Sequence, residues 1–148
     1  MALLHLLVVL NLTFSAMLTG LIWIIQIVHY PGFLRVGAYA FPDYHHHHTQ
    51  SISYVVIPLM LSELAVSIVL PLVYLPNISW LVYSASGMVL LLWLITLLKF
   101  APLHGKLTAR GYDELLIRQL VRANWIRTIV WSIRTIILCY LEVKVLAE

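Results

Sequence analysis

Four runs of apolar residues, each long enough to cross a bilayer as a helix, dominate the chain and limit what it can fold into. They lie at about Leu3 to Val28, Ser51 to Leu75, Trp80 to Phe100 and Ile126 to Leu146, the last with an amphipathic lead-in from Asp113. The hydrocarbon core of a bilayer takes roughly 20 such residues per helix. Strands of a membrane barrel would instead alternate apolar and polar residues with period two, and no such alternation is present. Charged residues are only 10% of the chain and hydrophobic residues 62%, with mean hydropathy +0.96. A water-soluble domain carries about 25% charge. The expected fold is therefore all-α: an integral membrane four-helix bundle, a single domain over 1–148, with the lipid bilayer as its main solvent.

The first run lacks a basic leader and is longer than the apolar core of a signal peptide, so it is expected to stay as a span. One cysteine, Cys139, lies deep in the fourth run, and no disulfide within the chain is possible. The net charge of +3 is spread over loops rather than gathered in a patch, which argues against a nucleic-acid partner. Arg35, Lys99, Lys106, Arg110, Arg118 and Arg122 all fall near the face reached after the first span, here called face B. The other face has only Lys144. The positive-inside rule then makes face B cytoplasmic and puts both termini outside.

The connection from Tyr30 to Tyr44 holds Pro31, Gly32, Gly37 and Pro42 and reads as an ordered interfacial or re-entrant loop. Phe33, Tyr39, Phe41 and Tyr44 are expected at headgroup level, where aromatic rings are favoured. A short turn is expected around Pro76-Asn77, and Pro58 and Pro71 are expected to kink the second span. Asp113 and Glu114 suit the positive end of the fourth helix.

Charged side chains inside a bilayer face the bundle interior and find partners. Glu63 and Arg134 both lie roughly 22 Å from face B at 1.5 Å per residue, so a buried ion pair between them is predicted. Asn124, Arg127, Trp131 and Arg134 are spaced three, four and three, which places them on one helical face. An arginine on that face offers a fork of donors for a heme propionate or a quinone-type oxygen. Snorkelling of Arg127 toward face B is the other reading.

Six of the seven histidines fall at face B. His29 ends the first span, His45 to His48 precede the second, and His104 follows the third. On a helix His45 and His48 share a side, a spacing that can chelate a metal. Gln26, one turn before His29, is a candidate further ligand or orienting group. His29, His45, His48 and His104 are thus the candidate ligands of heme or of a transition metal (iron, copper or zinc), against the alternative that they are merely solvated at the interface.

The order of these residues resembles a known pattern. It runs Trp23, Gln26, His29-Tyr30-Pro31, Phe33, Phe41, Tyr44, His45, His48, Pro58 and Glu63, then Trp93, Thr96, Pro102 and His104, then Asn124-Trp125, Arg127-Thr128, Trp131 and Arg134. It resembles a group of bacterial four-span membrane proteins that is distantly similar to the anthrone-oxygenase-like family. The nearer resemblance implies a bacterial inner-membrane location and a pattern in which His45 and His48 fit while His46 and His47 vary. The distant one implies oxygenation of a hydrophobic polycyclic substrate, with Asn124 and Arg127 as the positions that carry over.

Three functions fit these residues. One is a membrane redox protein whose histidine-bound metal or heme acts on a lipophilic small molecule. The second is a non-catalytic subunit of a larger membrane complex. The third is a small transporter, for which four spans would require a homo-oligomer. No Gly-rich phosphate loop, cysteine metal motif or hydrolase triad spacing is present.

Overall fold

The computed structural model describes residues 2–73 and 79–147, and among them the chain is helical with no strand. Helix α1 (Ala2–Ile24) runs into a π-helical turn (Ile25–His29), a short α2 (Tyr30–Gly32) and a 3-10 turn (Phe33–Arg35). Helix α3 spans Phe41–Val73. Helix α4 (Ser79–Ile95) continues through a second π turn (Thr96–Phe100) into α5 (Ala101–Arg110). Helix α6 spans Glu114–Leu146. The expected turn at Pro76-Asn77, with the end of the second span at Leu75, lies outside the described residues.

Three of these helical stretches, Ala2–Arg35, Phe41–Val73 and Trp80–Arg110, are long and apolar enough to cross a membrane. The fourth, α6, matches them in length, but its buried Arg127 and Arg134 dilute its apolar character. The helices are also longer toward face B than the apolar runs alone indicate. Helix α3 begins at Phe41, not near Ser51, and α5 carries the third helix on to Arg110. Pro58 and Pro71 lie inside α3, which runs through both.

The four long helices form a square. Helices α1 and α4 each pack against both α3 and α6, so α1 and α4 occupy one diagonal. Neighbours run antiparallel: α1 meets α3 through Asn11 with Ser67 at one end and His29 with His48 at the other. Between α5 and α6 the reversal is abrupt. Gly111 has φ +77, a conformation that side chains rarely adopt. Asp113 then caps α6, its carboxylate accepting from the Leu116 N–H at 3.1 Å.

The interior is built in layers. One apolar cluster fills the face B half, around Leu18, Met60, Leu92, Leu120 and Trp131. A second fills the opposite end, around Leu7, Leu70, Val82 and Leu138. Between them lies a polar layer. Glu63 Oε1 accepts from Arg134 Nη1 at 2.7 Å, with both side chains out of solvent. Arg134 also donates to Ser67 Oγ at 2.8 Å, to the Ala85 carbonyl at 3.1 Å and to Asn11. Trp131 Nε1 donates to both Glu63 oxygens at 3.2 and 3.3 Å. Helices α1 and α6 are further joined by hydroxyls, with Thr135 bonded to both Ser15 and Thr19 at 2.8 Å. The outward faces are apolar as well: Ile27, Val28, Leu72, Leu98, Leu115 and Ile136 are all exposed.

Candidate functional site

At face B the helix ends are shaped by two π turns that share one cause. Pro31 and Pro102 have no N–H, so each breaks the regular ladder two residues after the turn. The preceding residue then reaches back five positions: the Tyr30 N–H bonds to the Ile25 carbonyl and the Ala101 N–H to the Thr96 carbonyl. The first π turn ends on His29, and the second ends one helical turn before His104. Turns of this type recur at functional sites.

The four candidate histidines meet. His29 Nε2 lies 2.6 Å from His48 Nδ1, and His45 Nε2 lies 3.0 Å from His104 Nδ1. The rings of His48 and His104 join the two pairs, with centroids 6.1 Å apart. His45 and His48 are buried, whereas the intervening His46 and His47 point outward, as a helical start at this position requires. His5 lies at the other end, 2.6 Å from Glu142.

Aromatic rings hold the imidazoles in place. The Phe33 ring meets the edges of His45 and His48 at 5.7 and 5.1 Å, and Phe41 stacks on His45 at 5.5 Å. Both phenylalanines are fully buried. They pack against the histidines inside the chain, whereas Tyr39 and Tyr44, the other two aromatics of this connection expected at headgroup level, are exposed.

Tyr30 extends the cluster inward. Its hydroxyl lies 3.0 Å from His104 Nε2, and Thr108 Oγ1 lies 3.4 Å from His45 Nδ1. One set of tautomers satisfies every link. Tyr30 donates to His104, His104 to His45, His45 to Thr108, and Thr108 to the His104 carbonyl at 3.0 Å. The chain runs from a buried phenol to an exposed threonine.

Beside the cluster lies a cavity of about 360 Å³, lined mainly by apolar side chains from α3, the end of α4 and the two π turns, with Arg127 entering from α6. Ile52, Val56 and Met60 form one wall, and Trp93, Leu97 and Phe100 another. Its polar lining includes Tyr30, His48, His104 and Arg127, with the hydroxyls of Thr49, Ser53 and Thr96. The Arg127 guanidinium rests over the Phe100 ring at 4.5 Å and near Trp131 at 5.2 Å. It is buried on the interior face with Asn124, Trp131 and Arg134, so it does not snorkel.

Gln26 does not reach the histidines. Its amide is spent on α6, with Nε2 donating to the Val121 carbonyl at 3.3 Å and Oε1 accepting from Asn124 Nδ2 at 3.0 Å. Gln26 and Asn124 thus lock α1 to α6 beneath the site, and the role of ligand drawn for Gln26 from its spacing is not supported by its contacts. The Glu63–Arg134 pair lies in the separate polar layer.

The donor set is chemically suited to a transition metal, since neutral imidazoles are common ligands of zinc, copper and iron. The ring nitrogens face one another two by two. Among the described residues no group of three or more His, Cys, Asp or Glu side chains converges on a single point as a preformed metal cage. Two nitrogens on one tetrahedral ion stand about 3.3 Å apart, from metal–nitrogen bonds of 2.0–2.1 Å. The His45–His104 pair, at 3.0 Å, is within a few tenths of an ångström of that separation, whereas the His29–His48 pair, at 2.6 Å, is about 0.7 Å shorter and would have to open to admit an ion. Comparison with protein-family models, with curated proteins and with solved structures finds no match.

Proposed function

We propose that this protein is an integral membrane redox protein that holds a transition metal on His29, His45, His48 and His104 and acts on a lipophilic small molecule in the adjoining cavity. The observation that carries the reading is the meeting of four imidazoles from three separate segments beside an apolar cavity. A bare ion is favoured over heme. A porphyrin plane needs open space around its axial nitrogen, and one ring nitrogen of each histidine already has a second imidazole within 3.0 Å.

The membrane setting follows from the exposed apolar faces. A soluble monomer rarely shows contiguous apolar patches beyond a few hundred Å², whereas this bundle is apolar around most of its girth. All four long helices then cross the bilayer, with face B cytoplasmic and both termini outside, in an inner membrane. Lipid gives no hydrophobic drive for helices to associate, so interhelical hydrogen bonds and close packing hold such bundles together. The polar layer and the α1–α6 hydroxyl ladder supply those bonds.

A bound metal would supply redox or Lewis-acid chemistry beside the cavity. The chain's own residues do the rest. Ile52, Val56, Met60 and Trp93 hold an apolar body. Arg127 presents a fixed positive charge, and Tyr30 Oη holds a proton at the cavity end of a hydrogen-bonded route to Thr108. Elemental analysis and an optical spectrum of detergent-purified protein test the proposal. A stoichiometric transition metal without a Soret band supports it. A Soret band would replace the bare ion with heme, and the absence of any metal would remove the redox reading.

A second reading has its own support. Imidazoles bonded directly to one another and to Tyr30 form a proton route as they stand, which suits a small proton-coupled transporter acting as an oligomer. Proton uptake into vesicles by metal-free protein distinguishes it.

A further inference from the structure

Three polar atoms around the cavity are shielded from solvent and have no hydrogen-bond partner: Arg127 Nε, Trp93 Nε1 and Thr96 Oγ1. All three residues line the same cavity. Trp93 and Thr96 sit at the junction of α4 with its π turn, and Arg127 faces them from α6. Buried polar groups are partnered in the great majority of cases, so the meeting of three of the six such atoms among the described residues around one cavity forms a pattern. The guanidinium and indole N–H groups can only donate, and the threonine hydroxyl can donate. Arg127 is 5% exposed and takes part in none of the ion pairs among the described residues. A buried cation without a counter-charge calls for an anion.

We infer that the cavity binds an apolar organic anion, a carboxylate or phenolate oxygen on a hydrocarbon body, and that Arg127, Trp93 and Thr96 are the donors that recognise it. The inference rests on reading the cavity as the substrate site and names the class of molecule that enters. The volume of about 360 Å³ is at the low end of the roughly 300–1,000 Å³ found for small-molecule sites. That favours a body of one or two fused rings or a short branched chain. Leu97, exposed on the outer side of the π turn, lines the cavity too, so the opening faces the direction from which a lipid-dissolved molecule would come. His48 and His104 line the same cavity, so an oxygen held by the three donors shares it with the imidazoles.

The test uses three probes of one shape in nanodiscs, corrected for partition into empty discs: 2-naphthoate, the neutral ketone 2-acetylnaphthalene, and 2-methylnaphthalene. Naphthoate is expected to bind at least tenfold more tightly than either neutral probe. Thr96→Val, which removes a donor and keeps the shape, is expected to weaken naphthoate several-fold and leave methylnaphthalene unchanged, and Trp93→Phe, which removes a donor and part of the apolar wall, is expected to weaken naphthoate more than methylnaphthalene. Arg127→Gln should abolish the preference for the anion. Should that variant not fold, Arg127→Lys keeps the charge without the fork and should keep part of the preference. Equal binding of naphthoate and either neutral probe would overturn the inference, as would full naphthoate affinity in both Trp93→Phe and Thr96→Val. Metal content measured on the same samples separates the two ideas: anion binding without metal leaves this inference standing and removes the redox reading, and metal without anion preference does the reverse.

Discussion

Among single residues, Glu63 and Arg134 show how costly groups are made tolerable in an apolar bundle. Arg134 makes a charge-assisted bond to Glu63 and further bonds to Asn11, Ser67 and the Ala85 carbonyl. Glu63 in turn accepts from Trp131. Glu63→Gln strands the cation and is expected to destabilise the protein by about 3–5 kcal/mol, measured by denaturation in mixed micelles. A loss below about 1 kcal/mol would mean that Asn11 and Ser67 suffice. This pair was legible in the sequence because its argument needs only depth along two helices. The histidine cluster was legible for a similar reason: span ends specify a membrane level. The roles of Phe33 and Phe41 were not. In a chain this apolar an aromatic at a helix end fits equally well on the surface or under a cluster, and composition does not distinguish the two. Gln26 failed for the converse reason: being one turn from His29 does not settle which neighbour its amide meets, and Asn124 on α6 was the closer one.

At the level of elements, the two π turns do what an unbroken α-helix could not. Each adds one residue to a turn and widens the helix beside the cavity, the first ending on His29 and the second one turn before His104. The prolines that cause them were visible as Pro31 and Pro102, but a proline near a helix end more often marks a stop. Uniformly apolar helices also hide which face is inward, so Trp93 and Thr96 could not be placed on the cavity wall from spacing. Deleting Leu98, an exposed residue of the second turn, should convert it to a regular α turn while keeping both flanks in register. The expected result is lowered thermal stability, because Pro102 then sits in a regular ladder that its ring and missing N–H disrupt, with naphthoate affinity lowered at least tenfold. Unchanged affinity would show that the wide turn plays no part in shaping the cavity.

For the whole molecule, the account requires a four-span bundle with the histidine cluster on the cytoplasmic side. Six basic residues near face B against Lys144 at the other lead to that orientation. Reporter fusions after Ala40, in the turn before α3, and after Ala109, at the end of α5, are both expected to report the cytoplasm. A periplasmic signal from either would reverse or break the topology. The helices and their antiparallel square follow from four apolar runs joined by short connections, which is why the architecture could be anticipated. The cavity could not, since it is defined by what four helices leave unfilled between them.

The central claim is that four histidines serve one site, and a substitution series with metal content as readout addresses it most directly. His29, His45, His48 and His104 are each replaced with alanine, and the neighbouring outward-facing His46 and His47 are replaced as controls. Each variant is purified in detergent, checked for helical content and analysed for bound metal. Loss of metal from several of the four inward variants, with folding intact and with full occupancy in His46→Ala and His47→Ala, is the predicted result. A wild-type protein that binds no metal, or metal retained in all four inward variants, would contradict the account.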